Sequence, residues 1–408
     1  MSAHATGMVR SGQTPGWIFP TILFLMSPSV SGEEFEIATA DDVELRGQID
    51  WPESEAGPPW PVVVMMAGTD IFDRDVLYGE GEEAMLFRHL AQALNAAGVA
   101  TVRQDFRGIS CNEQTMPACS DCLSRTERLR HQVKHCVDNR IRGTVDWDSV
   151  PSDLALVYDH AKAHPDIDPR RMLVLAHSEG VVHTTRLIND GRIAPSGLIL
   201  LAGPAESPHD IVRWQWASRA ALGFLEQVGG TGAREISNED IAAWCRQAGV
   251  SDAGCKQFLG PDDGWTDQSL TGMMKQREFE AMKESWLLLP GETPYAHHLV
   301  EAEGVFASMD WWQGWLRDHT PVVDRLVGYE GAISVVLGGA DTVIPVDRQR
   351  ELYERLGREK PDSFELVVLR GKGHALGSNA VTGPMAQQSR QRIVQTVERI
   401  LTMQSIDP

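Results

Sequence analysis

Basic residues are scarce in this chain: 37 Lys and Arg stand against 57 Asp and Glu, a formal net charge of −20. A surface that acidic repels phosphate backbones, which excludes nucleic acid as a partner. No run of apolar residues reaches the 18 or so that a membrane span needs, so no stable span is expected. Cysteines number only six, and the C-x-x-C formed by Cys119 and Cys122 is not followed by a second. That absence removes the usual zinc-ribbon spacing. No internal repeat or low-complexity tract stands out, so the chain is neither a solenoid nor a disordered tail.

What is present begins with a leader-like segment at 1–31. Arg10 precedes the apolar run Trp17 to Met26, which gives way to small residues ending in Ser29 and Ser31 before Gly32. Positive, apolar, then small is the build of a secretory signal. A disordered leader or a membrane-surface anchor is the alternative. The even number of cysteines agrees with export: Cys111, Cys119, Cys122 and Cys136 cluster in one loop-like segment, Cys245 and Cys255 in another, which suggests two disulfides plus one. Connectivity stays open, as does a metal or redox role for Cys119 and Cys122 with His131 and His135 nearby. The expected location is secreted or periplasmic, with cytoplasmic as the other reading.

After the leader, strands and helices alternate. Val62 to Gly68 is a continuous apolar run of strand length, and Met172 to Ala176, Gly197 to Ala205, Ala332 to Gly339 and Phe364 to Gly371 read as further strands. Such runs belong to strands buried on both faces. With helical spacing between them they predict an α/β fold with a mostly parallel central sheet and helices on both faces. The rhythm breaks twice. A Cys-rich insertion covers 110–146 within a first core segment of 32–205. Between 206 and 320 strand-like runs vanish and eight Trp accumulate, which predicts a helical lid or cap before the core resumes at 321–408.

The chemistry-bearing residues sit where strands end. Ser178, in "VLAHSEG", follows a buried strand and opens a helix, with the small residues Ala176 and Gly180 two positions to either side. That is the pattern of a nucleophile elbow, in which a sharp turn exposes the hydroxyl. An ordinary helix cap is the alternative for Ser178 alone. Asp341 follows the strand "AISVVLGG", where catalytic groups gather in open α/β sheets. His374 lies in the Gly-rich "RGKGHAL" after the next strand. The order Ser, Asp, His is the one this architecture uses. Asp347 is a fallback acid that reads better as a helix cap. His177 is expected beneath the elbow and His183 in a structural role. His297 and His298 read as a solvated pair.

Three segments, "AGTDIFDRD", "QDFRGIS" and "AHSEG", resemble those of a bacterial group of acyl hydrolases and esterases in the α/β-hydrolase superfamily. That group carries "AGSGPxDRD", "DxRGxG" and "GHSEGG" at the corresponding places. The resemblance implies a triad of Ser178, Asp341 and His374. It also implies oxyanion-hole N–H donors at Thr69 and Glu179. Asp70, Ile71, Ser110, Ala176 and Val181 depart from the pattern, and Asp70 would oppose an oxyanion unless it pairs with Arg74 or Arg107. The implied activity is hydrolysis of a small-molecule ester or acyl substrate through an acyl-enzyme, with neither metal nor organic cofactor. A peptidase or amidase is a second expectation, with Glu280, Glu284 or Glu301 binding a substrate amine. A non-catalytic binding protein on the same fold is a third. Oligomeric state is not legible.

Overall fold

A computed structural model describes residues 32–52, 54, 57–68, 73–79, 82–111, 125–296 and 304–404. Residues 1–31, the expected leader, therefore lie outside the described residues. At the centre is an eight-stranded sheet made of β1 (Gly32–Ala38), β2 (Glu44–Asp50), β3 (Trp60–Met66), β4 (Ala100–Gln104), β5 (Ile167–His177), β6 (Gly197–Leu201), β7 (Ala332–Gly338) and β8 (Phe364–Leu369). Their spatial order is 1-2-4-3-5-6-7-8. β2 runs antiparallel to both β1 and β4, and every other pairing is parallel. This order and set of directions is the α/β-hydrolase fold.

The continuous apolar runs explain why β3, β5 and β6 sit mid-sheet. Side chains alternate across a strand. Val62, Val64 and Met66 therefore pack on one face together with Met172, Val174, Ala176, Leu198 and Leu200. Val63, Met65, Leu173, Leu175, Ile199 and Leu201 pack on the other. Helix α1 (Leu86–Ala96) and the C-terminal helix cover this second face. The first face is covered by α3 (Ser149–Ala163), α4 (Glu179–Asn189) and α6 (Val346–Glu359). The C-terminal helix is α7 (Gln387–Gln404), and α5 (Met309–Arg317) belongs to the segment between β6 and β7.

Two expectations need correction. The Cys-rich segment is not all loop: α2 (Arg125–Cys136) and a turn of helix at Asn139–Arg142 lie within it. Cys136 at the end of α2 forms a disulfide with Cys111, while Cys119 and Cys122 lie outside the described residues. Strands do not vanish from 206–320 either. Glu235–Ser237 pairs with Gly264–Thr266, and Pro294–Ala296 with Val305–Ser308. These ribbons are too short to leave a signal in sequence, and they brace the helices around them. A small core of Ala221, Leu225, Ile236, Ile241 and Leu270 packs there against the Cys245–Cys255 disulfide. Two helices of this segment carry a turn of π-helix, at Gln215–Arg219 and Met274–Phe279. Among the described residues no helix is long and apolar enough to cross a membrane.

Buried ion pairs tie the sheet edge to the helices. Arg107, after β4, donates to both carboxylate oxygens of Asp153 on α3 at 2.7 and 2.5 Å, and to Asp41 at 2.8 Å. Arg107 and Asp153 are each 4 % exposed. Removing one partner of such a pair leaves an uncompensated charge in the interior. Arg107→Met should therefore lower the free energy of unfolding in urea by about 3–5 kcal/mol. Adding Asp153→Leu should restore most of that loss, because the stranded carboxylate is gone.

Candidate active site

The β5–α4 turn is built for close approach. Ser178 has φ 57° and ψ −124°, a conformation that a residue with a side chain adopts only under strain. The surrounding backbone holds it there: Ser178 N–H donates to Leu201 O at 3.0 Å, and Val181 N–H donates to Ser178 O at 3.0 Å. Two glycines make the turn possible. A methyl on Gly180 would sit 2.6 Å from the carbonyl oxygens of Met66 and Ala67, and one on Gly68 would sit 2.7 Å from Ser178 Cβ. Ala176, by contrast, is accommodated fully buried.

The structure brings Ser178, His374 and Asp341 together. His374 Nε2 lies 2.9 Å from Ser178 Oγ, and His374 Nδ1 lies 2.6 Å from Asp341 Oδ2. An ionised carboxylate only accepts, so Nδ1–H donates to Asp341 and Nε2 is left to accept the serine hydroxyl proton. The other oxygen of Asp341 accepts from the N–H groups of Val343 at 2.7 Å and Ile344 at 3.4 Å, which fixes the carboxylate. The imidazole is fully buried. Its loop doubles back tightly enough that a methyl on Gly373 would lie 1.9 Å from Asn379 O. Asp347 lies elsewhere, in the first turn of α6, paired with Arg350 at 3.1 Å.

His177 packs behind this row, its ring 5.0 Å from that of His374 and 5.3 Å from that of Tyr78. Burial first, and then the facing His374, push it down to about 3. It is thus a neutral imidazole whose Nε2–H donates to the His374 carbonyl at 3.1 Å.

Glu179, the first residue of α4, presents its backbone N–H at the helix N-terminus, where negative charge is favoured. Its side chain has a second task that sequence reasoning missed. One oxygen, Oε1, accepts from Trp311 Nε1 at 2.9 Å, Trp315 Nε1 at 3.0 Å and His183 Nε2 at 3.0 Å. The two tryptophans are four apart on α5, so they share a helix face; that spacing in "WWQGW" was the available signal. They pin the 206–320 segment onto the elbow helix.

Thr69 and Asp70 lie outside the described residues, as do His297, His298 and Glu301. The residues that follow 69–72 are anchored. Arg74 donates to Asp105 through its backbone at 2.8 Å and its guanidinium at 2.7 Å, and Arg103 pairs with Asp50 at 2.9 Å and with Asp75. Both Arg74 and Arg107 are thus engaged by other carboxylates. Asp73 accepts from the N–H groups of Asp75 at 3.0 Å and Val76 at 3.2 Å. Burial, then the neighbouring Asp75 and Asp105, push Asp73 up to about 7.

Above Ser178 lies a cavity of about 290 Å³. Trp311, Trp312, Trp315, Ile211 and Val212 give it an apolar wall, and Gln215 and Arg219 add polar groups. Of the expected amine-binding acids, Glu280 pairs with Lys283, Glu284 is exposed, and neither lines the cavity. Among the described residues no cluster of His, Cys, Asp or Glu has the arrangement of a metal site.

No family model and no curated protein matches the sequence. Solved structures do superpose on it. An α/β hydrolase, GrgF from Penicillium sp. sh18, is 15 % identical over 91 % of this chain and 99 % of its own, with a TM-score of 0.47. Est1E from Butyrivibrio proteoclasticus is 12 % identical over 92 % and 100 %, with a TM-score of 0.48. A Pyrococcus furiosus esterase is 14 % identical over 98 % and 100 %, with a TM-score of 0.46. The fold assignment rests on strand order and direction.

Two outcomes follow. Asp73 binds its proton more tightly folded than unfolded, where its ordinary value is 3.8, so its burial opposes folding increasingly as pH rises from about 4 to 7. Asp73→Asn keeps the acceptor and removes the titration. Its thermal midpoint relative to wild type should climb between pH 4 and 7 and level off above. Trp311→Phe keeps an aromatic ring and removes one donor from Glu179, which should reduce unfolding free energy by roughly 1–3 kcal/mol.

Proposed function

We propose that this chain is a serine hydrolase that cleaves carboxylic esters through an acyl-enzyme. The observation that carries the reading is the hydrogen-bonded row Ser178–His374–Asp341, set at three strand ends beneath an apolar cavity. His374 Nε2 takes the hydroxyl proton as Ser178 Oγ bonds to the ester carbonyl carbon. Asp341 keeps the imidazole in the tautomer that can do this and stabilises the imidazolium. Negative charge on the carbonyl oxygen is met by the backbone N–H of Glu179 at the helix N-terminus and, by the resemblance in sequence, that of Thr69. As the tetrahedral adduct collapses, the C–O bond to the alcohol breaks and His374 returns the proton to the leaving oxygen. Water then attacks the acyl-serine, His374 accepts its proton, and the acid departs as Ser178 regains its hydrogen.

In this reading the 206–320 segment is a lid, held by the Trp311 and Trp315 hydrogen bonds to Glu179, and its tryptophans shape the substrate pocket. An ester is favoured over an amine-bearing amide because, of the candidate amine-binding acids among the described residues, neither Glu280 nor Glu284 lines the cavity. Two described disulfides and the leader-like sequence support export to an oxidising compartment.

The test is a panel of p-nitrophenyl esters of increasing acyl length, assayed with wild type and Ser178→Ala. Wild type should hydrolyse short to medium acyl chains, in keeping with the cavity volume. The variant should lose roughly 1,000-fold or more in kcat. Equal rates in both would overturn the assignment, and a folded wild type inert to every ester and amide would indicate a binding protein.

A further inference from the structure

Arg219 stands out among the charged groups near the cavity. It ends the π-helical turn Gln215–Arg219, lines the cavity above Ser178, and is half-buried. Its guanidinium forms no ion pair or hydrogen bond with any described residue. The only other charged side chain on the cavity wall among the described residues is Glu179, whose Oε1 already takes three donors.

The carboxylates around it are occupied. Arg219 also borders an adjoining cleft that includes Glu226, Asp341 and Asp347. Glu226 accepts the Gly232 N–H at 3.1 Å, Asp341 holds His374, and Asp347 pairs with Arg350. The other cleft arginines are partnered too: Arg234 with Asp267 at 3.4 Å and Arg348 with Glu206. In a chain with 57 acidic residues against 37 basic ones, a half-buried guanidinium paired with none of the described acids is not explained by packing alone. Partial burial weakens its hydration, and its planar fork matches a carboxylate in two parallel hydrogen bonds. A π-turn shifts side chains out of the regular helical register, and such turns recur at functional sites.

We infer that Arg219 is a specificity residue that receives a carboxylate on the substrate, so that the preferred esters are anionic acids with an apolar body. This rests on the serine-hydrolase reading and narrows its substrate class. The apolar wall of Trp311, Trp312 and Trp315 takes the body of the substrate, and the guanidinium takes its charged end.

The experiment compares matched pairs with wild type, Arg219→Gln and Arg219→Lys, over the Ser178→Ala background. One pair places the charge on the acyl arm: the p-nitrophenyl monoester of glutarate against p-nitrophenyl pentanoate. The other places it on the alcohol arm: the butyryl ester of 4-hydroxybenzoate against that of 4-hydroxybenzamide. At least one anionic member should exceed its neutral partner about tenfold in kcat/KM with wild type, the worth of one charge-assisted hydrogen bond. Arg219→Gln should erase that preference while changing the neutral rates less than about threefold, and Arg219→Lys should retain part of it. A measurement that needs no turnover is tryptophan fluorescence on titration with free glutarate or with glutaramide. Glutarate should bind wild type and Ser178→Ala, and Arg219→Gln weakly or not at all. Ser178-dependent turnover with no anionic preference in either pair, together with no glutarate binding, would overturn the role of Arg219 and leave the hydrolase standing. Glutarate binding lost in Arg219→Gln without any Ser178-dependent turnover would uphold the anion site and overturn the hydrolase.

Discussion

Two side chains from distant parts of the chain meet on one imidazole. His374 is held at Nδ1 by Asp341 and faces Ser178 with Nε2, and both distances are those of formed hydrogen bonds. Nothing local in sequence brings these residues together. Their meeting depends on β5, β7 and β8 ending at the same edge of one parallel sheet. That register is set by β6, β7 and the second half of β5, which are buried on both faces, so that a slip of one residue would exchange the two cores; the half-buried edge strand β8 is held in register by its parallel pairing with β7. The strained turn at Ser178 is bearable only inside that frame. Gly68 and Gly180 leave room for it, and backbone hydrogen bonds to Leu201 and Val181 hold it in place.

Electrostatics make the same edge rigid. Arg74, Arg103 and Arg107 are nearly fully buried, and each is matched to Asp residues from other elements. Arg74 and Asp75, which follow 69–72, are held in this way by Asp105 and Arg103. On the other side, the Glu179 carboxylate joins α5 to α4 through two indole N–H groups. The helix that follows Ser178 and the helix that carries Trp311 and Trp315 are thus one hydrogen-bonded unit. Arg219 differs from all of these in having no such match.

Much of this was legible in sequence, for identifiable reasons. Central strands announce themselves as apolar runs, and Ser178 and Asp341 each follow one, while His374 follows the edge strand next to it, so the fold predicts their convergence. What escaped reading depends on pairings across the structure. Helix α2 was hidden in "RTERLRHQVKHC" because its residues are mostly polar or charged and, of those whose burial is described, only Gln132, Val133 and Cys136 are buried. The three- and four-residue ribbons of the inserted segment lack the length to show alternation. The Arg107–Asp153 pair spans 46 residues and the Trp311–Glu179 bond 132, separations at which a sequence gives composition but not partners. Thr69, the expected oxyanion donor, lies outside the described residues, and its role rests on the resemblance alone.

The central claim is that the buried imidazole makes one particular hydroxyl nucleophilic. A fluorophosphonate reacts with a serine activated in that way and not with ordinary surface serines. Folded protein treated with such a probe, digested and mapped by mass spectrometry, should carry the adduct on the peptide containing Ser178, and His374→Ala should carry none. Labelling of another residue, or none in folded wild type, would contradict the account.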